Sequence, residues 1–469
     1  MPESKTDFFA ILRKYNPWWK EGRVTDLPSW QRTSFDEVMK WVEHPPSKRA
    51  LLLSGARQIG KTTLLLQAIE ALLKKGVPPT KILYVTFDHP LIKSISLDEV
   101  LDLWSELEPE QHGVEYLFLD EIQYAQDWQV WLKHQVDFFK HRRIVVTGSA
   151  MPLVIENQES GVGRWHTLKL PTLSFFEYLQ IKKVSPSDIP SLTKLEELFH
   201  WKPAQFHRIT GEIAPLVPHF HEYLLRGGFP QSAQTNGIAQ AQQLLREDII
   251  DKILKRDMTA LFGVRRILEL EQLFLYFCLH DGGLTNIPDL CKNLEIKKPT
   301  LNNFINLLEA AHLIYRLAPF GYGKEILRAR YKIYLADAAI APSIMLQGKS
   351  LFEDPVATST AVETAFLKHA ITYYGTKSTG FSYWRGKKDH EVDLIATVKG
   401  ELIPFEVKHR TQATGVGELQ GMLEFCSQKK VKQGYVITKN KNDFSLMPLN
   451  KKISVVKIPA PLACYWLGQ

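Results

Sequence analysis

Cysteine is scarce in this chain. The four that occur, Cys278, Cys291, Cys426 and Cys464, lie far apart with no ligand-like spacing. That excludes a disulfide scaffold or zinc ribbon and leaves reduced, structural thiols, as in a cytoplasmic protein. Long apolar runs are missing too. Stretches such as "LFLYFCL" from Leu273 are far too short to span a bilayer, so no membrane partner is expected. The opening "MPESKTD" lacks the apolar core of a secretory signal. Repeats and low-complexity tracts are absent. Net charge is small, +7 over 469 residues, but unevenly placed. Phe381 to Gln469 holds fourteen Lys/Arg against eight Asp/Glu, a local +6. The C-terminal part is therefore the expected polyanion surface, although a merely solvated basic face has the same composition.

Hydrophobic residues make up 45% of the chain and charged residues 23%, ordinary for globular protein. The length suffices for about three domains with real cores. Residues 1–48 form an aromatic-rich lead-in, and its "NPWW" (Asn16–Trp19) is expected to pack structurally. From Ala50, apolar runs alternate with amphipathic ones. "ALLLSG", "ILYVTFD", "YLFLDE" and "RIVVTGS" are apolar on consecutive residues, the pattern of parallel strands buried on both faces. Segments between them, such as "SLDEVLDLWSEL", start with capping residues, so residues 49–183 read as a βαβ series. A helical linker region follows over 184–260, and a winged-helix-like domain over 261–354. A final α/β domain occupies 355–469.

"GARQIGKT" followed by Thr63 places Gly55, Ala56, Arg57, Gln58, Ile59, Gly60, Lys61 and Thr62 between a predicted strand and a predicted helix. That context makes it a phosphate-binding loop. Its backbone N–H groups wrap phosphates and the helix N-terminus adds a favourable dipole. Lys61 would hold the β- and γ-phosphates of ATP, and Thr62 would ligate Mg²⁺. "YLFLDE" ends a buried strand in Asp120 and Glu121. Asp120 can reach the Mg²⁺ shell, and Glu121 can orient and deprotonate the attacking water. "IVVTGS" offers Thr147 or Ser149 as a γ-phosphate sensor, with capping of the next turn as the alternative for either.

This order of phosphate loop, acid pair and sensor strand resembles the AAA-type ATPases. The resemblance implies an arginine acting on the γ-phosphate, for which Arg164 is the candidate, in cis or from a neighbouring subunit of a homo-oligomer. "NPWW", "GARQIGKTTLL", "LFLDEIQ", "VTGS", "LSFFEYL", "YLLRGGFP", "KIYLAD" and "EVDLI…IPFEVK" together resemble one prokaryotic family across nearly the whole chain. That family joins an AAA-type ATPase to a C-terminal domain of unknown function with a PD-(D/E)XK nuclease-like core. The implied fold class is α/β: an N-terminal P-loop parallel-sheet domain, a helical/winged-helix middle and a C-terminal nuclease-like α/β domain.

In the middle region, "IPDLCKNLEIKKPTLNNFINLLEAAHLI" reads as a helix-turn-helix. Lys297 and Lys298 could meet a phosphate backbone, with Asn302 and Asn303 facing a groove. Packing alone is the other reading.

In "HEVDLIATVKGELIPFEVKH", Lys399–Gly400 as the centre of a hairpin turn makes facing residue numbers sum to 799. Asp393 then faces Glu406, and Glu391 faces Lys408. Two carboxylates with Cβ atoms roughly 5 Å apart repel, and a divalent cation between them removes the repulsion. The pattern resembles a PD-(D/E)XK site. Asp393 and Glu406 would bind Mg²⁺, Lys408 would steer water or steady charge, and Glu363 corresponds to the helical acid. Gln420 is a weaker addition. Pro404 implies an edge strand or an incomplete ladder.

The expected function is a Mg²⁺-dependent ATPase that controls a nuclease-like domain acting on DNA in preference to RNA. The alternative is an ATP-switched DNA-binding, signalling or scaffold protein with an inactive nuclease fold.

Overall fold

The structure is a computed structural model. It describes residues 5–108, 113–149, 163–186, 188–321, 330–375, 379–386, 390–410, 412 and 414–469. Two compact units divide the chain, one of Met1–Pro171 with Ala310–His312, the other of Thr172–Glu309 with Leu313–Gln469.

The first unit is built on a five-stranded parallel sheet. Its strands are β1 (Ala50–Ser54), β2 (Ile82–Thr86), β3 (Glu115–Asp120), β4 (Arg142–Gly148) and β5 (Trp165–Lys169), ordered β2-β3-β4-β1-β5. Every pairing is parallel. Each strand therefore ends at the same edge, and the residues following β1, β3 and β4 converge there. β1 is buried along its whole length, as its run of consecutive apolar residues requires.

The "NPWW" lead-in closes one side of this sheet. The Asn16 amide pairs with the backbone of edge strand β2, accepting from Tyr84 N at 2.7 Å and donating to Tyr84 O at 2.9 Å. The indole N–H groups of Trp18 and Trp19 both donate to Ile82 O. These contacts occupy main-chain groups that an open edge strand would expose.

The second unit carries an eight-stranded sheet. Its strands are β6 (Ile314–Pro319), β7 (Lys332–Leu335), β8 (Thr379–Arg385), β9 (Glu391–Val398), β10 (Glu401–Lys408), β11 (Gln433–Thr438), β12 (Ser445–Pro448) and β13 (Ser454–Pro459). Their order is β12-β13-β11-β10-β9-β8-β6-β7.

Within the unit, helix Ile267–Leu279 leads to a bridge between Leu284 and Lys332, then to helices Ile287–Asn293 and Lys298–Ala310 and the antiparallel pair β6–β7. This run ends in the two strands of the β6–β7 pair. Residues 322–329, between these two strands, lie outside the described residues.

Next comes helix Pro355–Gly375, the antiparallel meander β8–β9–β10, helix Gln420–Lys429, and β11 parallel to β10. Phe405 of β10 packs on Phe366 and Tyr374 of the long helix and stacks on Tyr435. The opposite helix contributes Met422, Phe425 and Cys426 to a cluster with Val392 and Ile395.

The first unit ends at Pro171, before the "LSFFEYL" helix (Phe175–Ile181). That helix is anchored inside the second unit: Ser174 Oγ donates to Gly468 O and Phe175 N to His369 Nε2. The four cysteines are free. Among the described residues no helix is long and apolar enough to cross a membrane.

Candidate functional site

The loop after β1 meets the helix Lys61–Lys74 at Gly60, whose φ of 93° is left-handed. Glycine adopts that conformation without the Cβ clash other residues suffer. Arg32, buried in the lead-in, braces the loop by donating to Ile59 O at 2.8 Å and Pro171 O at 2.9 Å. Lys61 is buried, and its ammonium donates to Gly55 O and Ala56 O at 3.0 and 2.8 Å. Arg57 donates to the Tyr124 hydroxyl at 3.0 Å. Gln58 is also left-handed, with φ 60°. Thr63 sits half-buried in the first helical turn and makes no described side-chain bond that places it at the cluster.

Asp120 closes the cluster from the end of β3. It is 2% exposed. One carboxylate oxygen accepts from Thr62 Oγ1 at 2.6 Å and from the Tyr84 hydroxyl at 3.0 Å, while the other accepts from Thr147 Oγ1. Burial pushes its pKa up, the neighbouring Glu121 adds to the rise, and Thr147, Thr62 and Lys61 oppose it. A cation placed beside Asp120 would relieve that strain on its charged form. The pairing of the Thr62 hydroxyl with this acid is therefore a donor set that fits Mg²⁺.

Glu121 adopts a left-handed backbone, φ 52°, which costs energy for a residue with a Cβ and is common at functional sites. Its N–H donates to Thr147 Oγ1 at 3.0 Å, so Thr147 joins both acids. Gln123 is a residue sequence reasoning missed. Its amide nitrogen donates to the Glu121 carboxylate and to Ser149 Oγ, the latter at 3.2 Å. Thr147 is thus engaged with the acid pair, while Ser149 is tied to Glu121 through Gln123.

The fold does not bring Arg164 to this cluster. Arg164 O accepts from Ala50 N at 3.0 Å, at the start of β1, and its guanidinium pairs with Asp137 at 2.6 Å. Because β1 and β5 run parallel, Arg164 lies one strand length, roughly 13 Å, from the loop end. In this arrangement its guanidinium is held by Asp137, away from the loop. The basic residue that β5 delivers to the loop end is Lys169, in register with Ser54. Counting five residues on from Arg164 along a parallel strand would have found it.

In the second unit the hairpin β9–β10 has the expected register, Glu401 facing Val398 through to Phe405 facing Leu394. Its turn residues Lys399 and Gly400 both have positive φ, 50° and 89°, as the tight hairpin turn demands. Beyond Phe405 the backbone ladder stops. Asp393 takes over, one of its oxygens accepting from Val407 N at 2.8 Å. β10 is central rather than an edge, and Pro404 sits one residue before its parallel ladder to β11 begins. The missing donor therefore corresponds to an incomplete ladder.

Asp393, Glu406, Glu363 and Lys408 are brought together, with Glu391 beside them. Lys408 pairs with Glu406 at 2.6 Å, not with Glu391. Glu391 instead pairs with Lys332, a buried lysine of β7 that also lies 3.6 Å from Asp393 Oδ1. The Tyr334 hydroxyl donates to Glu363 at 2.6 Å. Burial pushes both Glu363 and Glu406 up to about 7, with Asp393 adding to each. Burial lowers the pKa of Lys332, but Asp393, Glu363 and Glu391 outweigh it and hold the residue charged. Gln420 donates to Val416 O and stays outside the cluster. Among the described residues no three His, Cys, Asp or Glu side chains are placed to hold a metal ion.

Residues 47–179 match the model of an AAA domain. Residues 217–350 match a domain of unknown function (DUF8612), and 359–460 match a second (DUF4143). An uncharacterized protein of Methanocaldococcus jannaschii is 24% identical over 84% of this chain and 81% of its own length. An uncharacterized protein of Haemophilus influenzae is 25% identical over 77% of this chain and 84% of its own. Among solved structures, a point mutant of Thermotoga maritima RuvB overlaps 57% of this chain and 82% of its own at 15% identity, with a TM-score of 0.26. That overlap is too low to support a conclusion. The chain carries an N-terminal AAA-type P-loop domain followed by two domains of unknown function.

Proposed function

We propose that this protein is a Mg²⁺-dependent ATP hydrolase that uses ATP binding and hydrolysis to control a C-terminal nuclease-like domain acting on DNA. The observation that carries the ATPase is the convergence of Thr62, Asp120, Thr147 and Glu121 at the mouth of the phosphate loop. Thr62 and Asp120 would hold Mg²⁺, which when bound supplies positive charge along the phosphate oxygens. Lys61 would turn from the loop carbonyls to the phosphates. Glu121, held by Gln123, would orient a water and take its proton.

DNA as the partner is supported by the winged-helix reading and by Lys297, Lys298, Asn302 and Asn303, which are exposed at and just before the second helix. The nuclease-like reading is supported by the helix–meander–helix–strand order around Asp393, Glu406, Lys408 and Glu363. A second reading, an ATP-switched DNA-binding protein with a silent nuclease fold, is favoured by one observation: Lys332 and Lys408 already neutralise the acids.

Nucleotide binding and turnover test the ATPase. Glu121→Gln should retain ATP affinity and lose roughly 10²–10⁴-fold in turnover, whereas Lys61→Ala should lose affinity. Unchanged turnover in Glu121→Gln would remove that residue from the base role.

A further inference from the structure

The acids of the second unit surround an ammonium group. Lys332 is 5% exposed and comes from β7, the second strand of the β6–β7 pair, outside the helix–meander–helix–strand core. Its Nζ pairs with Glu391, lies 3.6 Å from Asp393 Oδ1, and is 3.4 Å from the Tyr334 hydroxyl that serves Glu363. The second Asp393 oxygen is taken by Val407 N–H, and one Glu406 oxygen by Lys408. Glu406 Oε2 is buried without a hydrogen-bond partner, whereas a divalent ion requires several oxygen ligands, and the Asp393 and Glu406 oxygens just named are already engaged. A metal entering here would meet an ammonium in a poorly solvated site, where like charges repel strongly.

We propose that Lys332 is a resident counter-ion that closes this acid centre to divalent cations, so that the centre becomes a metal site only when the β7 lysine is withdrawn. The inference rests on the nuclease-like reading of the C-terminal domain. It also accounts for the facing pair Asp393 and Glu406: their repulsion is relieved by two lysines rather than by a metal. A buried lysine whose carboxylates are all in place is stable there, because removing it would leave uncompensated buried charge.

The test is Mn²⁺ binding to the nucleotide-free full chain, read from the free-ion electron paramagnetic resonance signal, with Asp393→Asn subtracted in each background. Wild type should show no Asp393-dependent Mn²⁺ binding. Lys332→Met should gain a Mn²⁺ ion per chain and lose it again on adding Asp393→Asn, while Lys332→Arg, which keeps the charge, should stay closed. Circular dichroism identifies folded variants, and Lys332→Gln replaces Lys332→Met if the latter does not fold. Asp393-dependent Mn²⁺ binding by wild type overturns the closure while leaving the nuclease-like reading intact. A folded, neutral Lys332 variant that binds no Mn²⁺ overturns the closure and removes the metal centre from that reading as well.

Discussion

Lys368 lies at the centre of the second unit, and replacing it with methionine isolates one buried charge. Lys368 and Asp337 are 2% and 1% exposed and pair at 3.0 Å. The ammonium also donates to Thr172 Oγ1 at 2.9 Å, to Leu173 O at 2.8 Å and to the Tyr223 hydroxyl. Asp337 in turn accepts from Gly228 N, Thr172 Oγ1 and Ala339 N. The pair thereby ties "RGGFP", "KIYLAD" and the long helix Pro355–Gly375 into one core. Lys368→Met fills similar volume but strands the Asp337 carboxylate, which should cost about 3–5 kcal/mol. At about 2–4 °C per kcal/mol for a unit of this size, the melting temperature should fall by roughly 6–20 °C. Scanning calorimetry of the full chain reads this directly. The pH dependence supplies a second check. Lys368, Thr172 and Ala339 outweigh burial and hold the Asp337 pKa below its ordinary value, so the pair's stabilisation is present above the unfolded carboxyl pKa and lost as pH falls through the folded one. The gap between wild type and variant should therefore narrow in acid. A loss under about 1 kcal/mol, or a gap that widens in acid, would refute the buried-charge argument.

Arg164→Ala should leave turnover unchanged at protein concentrations where the chain is monomeric, because β5 places this residue at the far end of the sheet. Any loss should appear only where subunits associate, as concentration-dependent ATPase assays will show; a loss in dilute monomer contradicts the placement. Glu363→Gln should stabilise the protein more at about pH 8 than at about pH 5. Burial and Asp393 raise the folded pKa of Glu363 to about 7, so ionising it costs stability as pH rises from its unfolded value toward that point, and the cost is complete above it. Glutamine still accepts from Tyr334 and carries no charge, and equal melting shifts at both pH values would remove Glu363 from the buried-acid cluster.

The nucleotide loop and the β9–β10 hairpin were legible because their information is local. Gly60, Lys61 and Thr62 are contiguous, and the alternation of Val392, Leu394 and Ala396 against charged neighbours fixes the hairpin register. Lys332 was not legible. It lies in "KIYL", some sixty residues before Asp393, and a single lysine beginning a short apolar strand reads locally as a strand end. Only the sheet order, which joins the β6–β7 pair to this domain's meander through β6 and β8, places it among the acids. Arg164 follows the same logic: its distance from "VTGS" in sequence is short, but a parallel sheet requires the chain to return to the opposite edge before β5 begins. The role of Gln123 was hidden because it depends on the left-handed turn at Glu121, which aims the chain back across the end of β4. The unit boundary at Pro171 was likewise set by distant partners, Gly468 and His369, that no local composition announces.

The DNA side of the proposed function, that ATP controls how the protein engages DNA, is tested most directly by one titration. Fluorescence anisotropy of a labelled duplex is measured against the Glu121→Gln protein, with and without ATP and Mg²⁺, over a range of salt. The account predicts an affinity that differs by at least tenfold between the two nucleotide states, about 1.4 kcal/mol, and whose logarithm falls linearly with the logarithm of salt concentration in both. Equal affinity with and without ATP, or no salt-sensitive binding in either state, would contradict it.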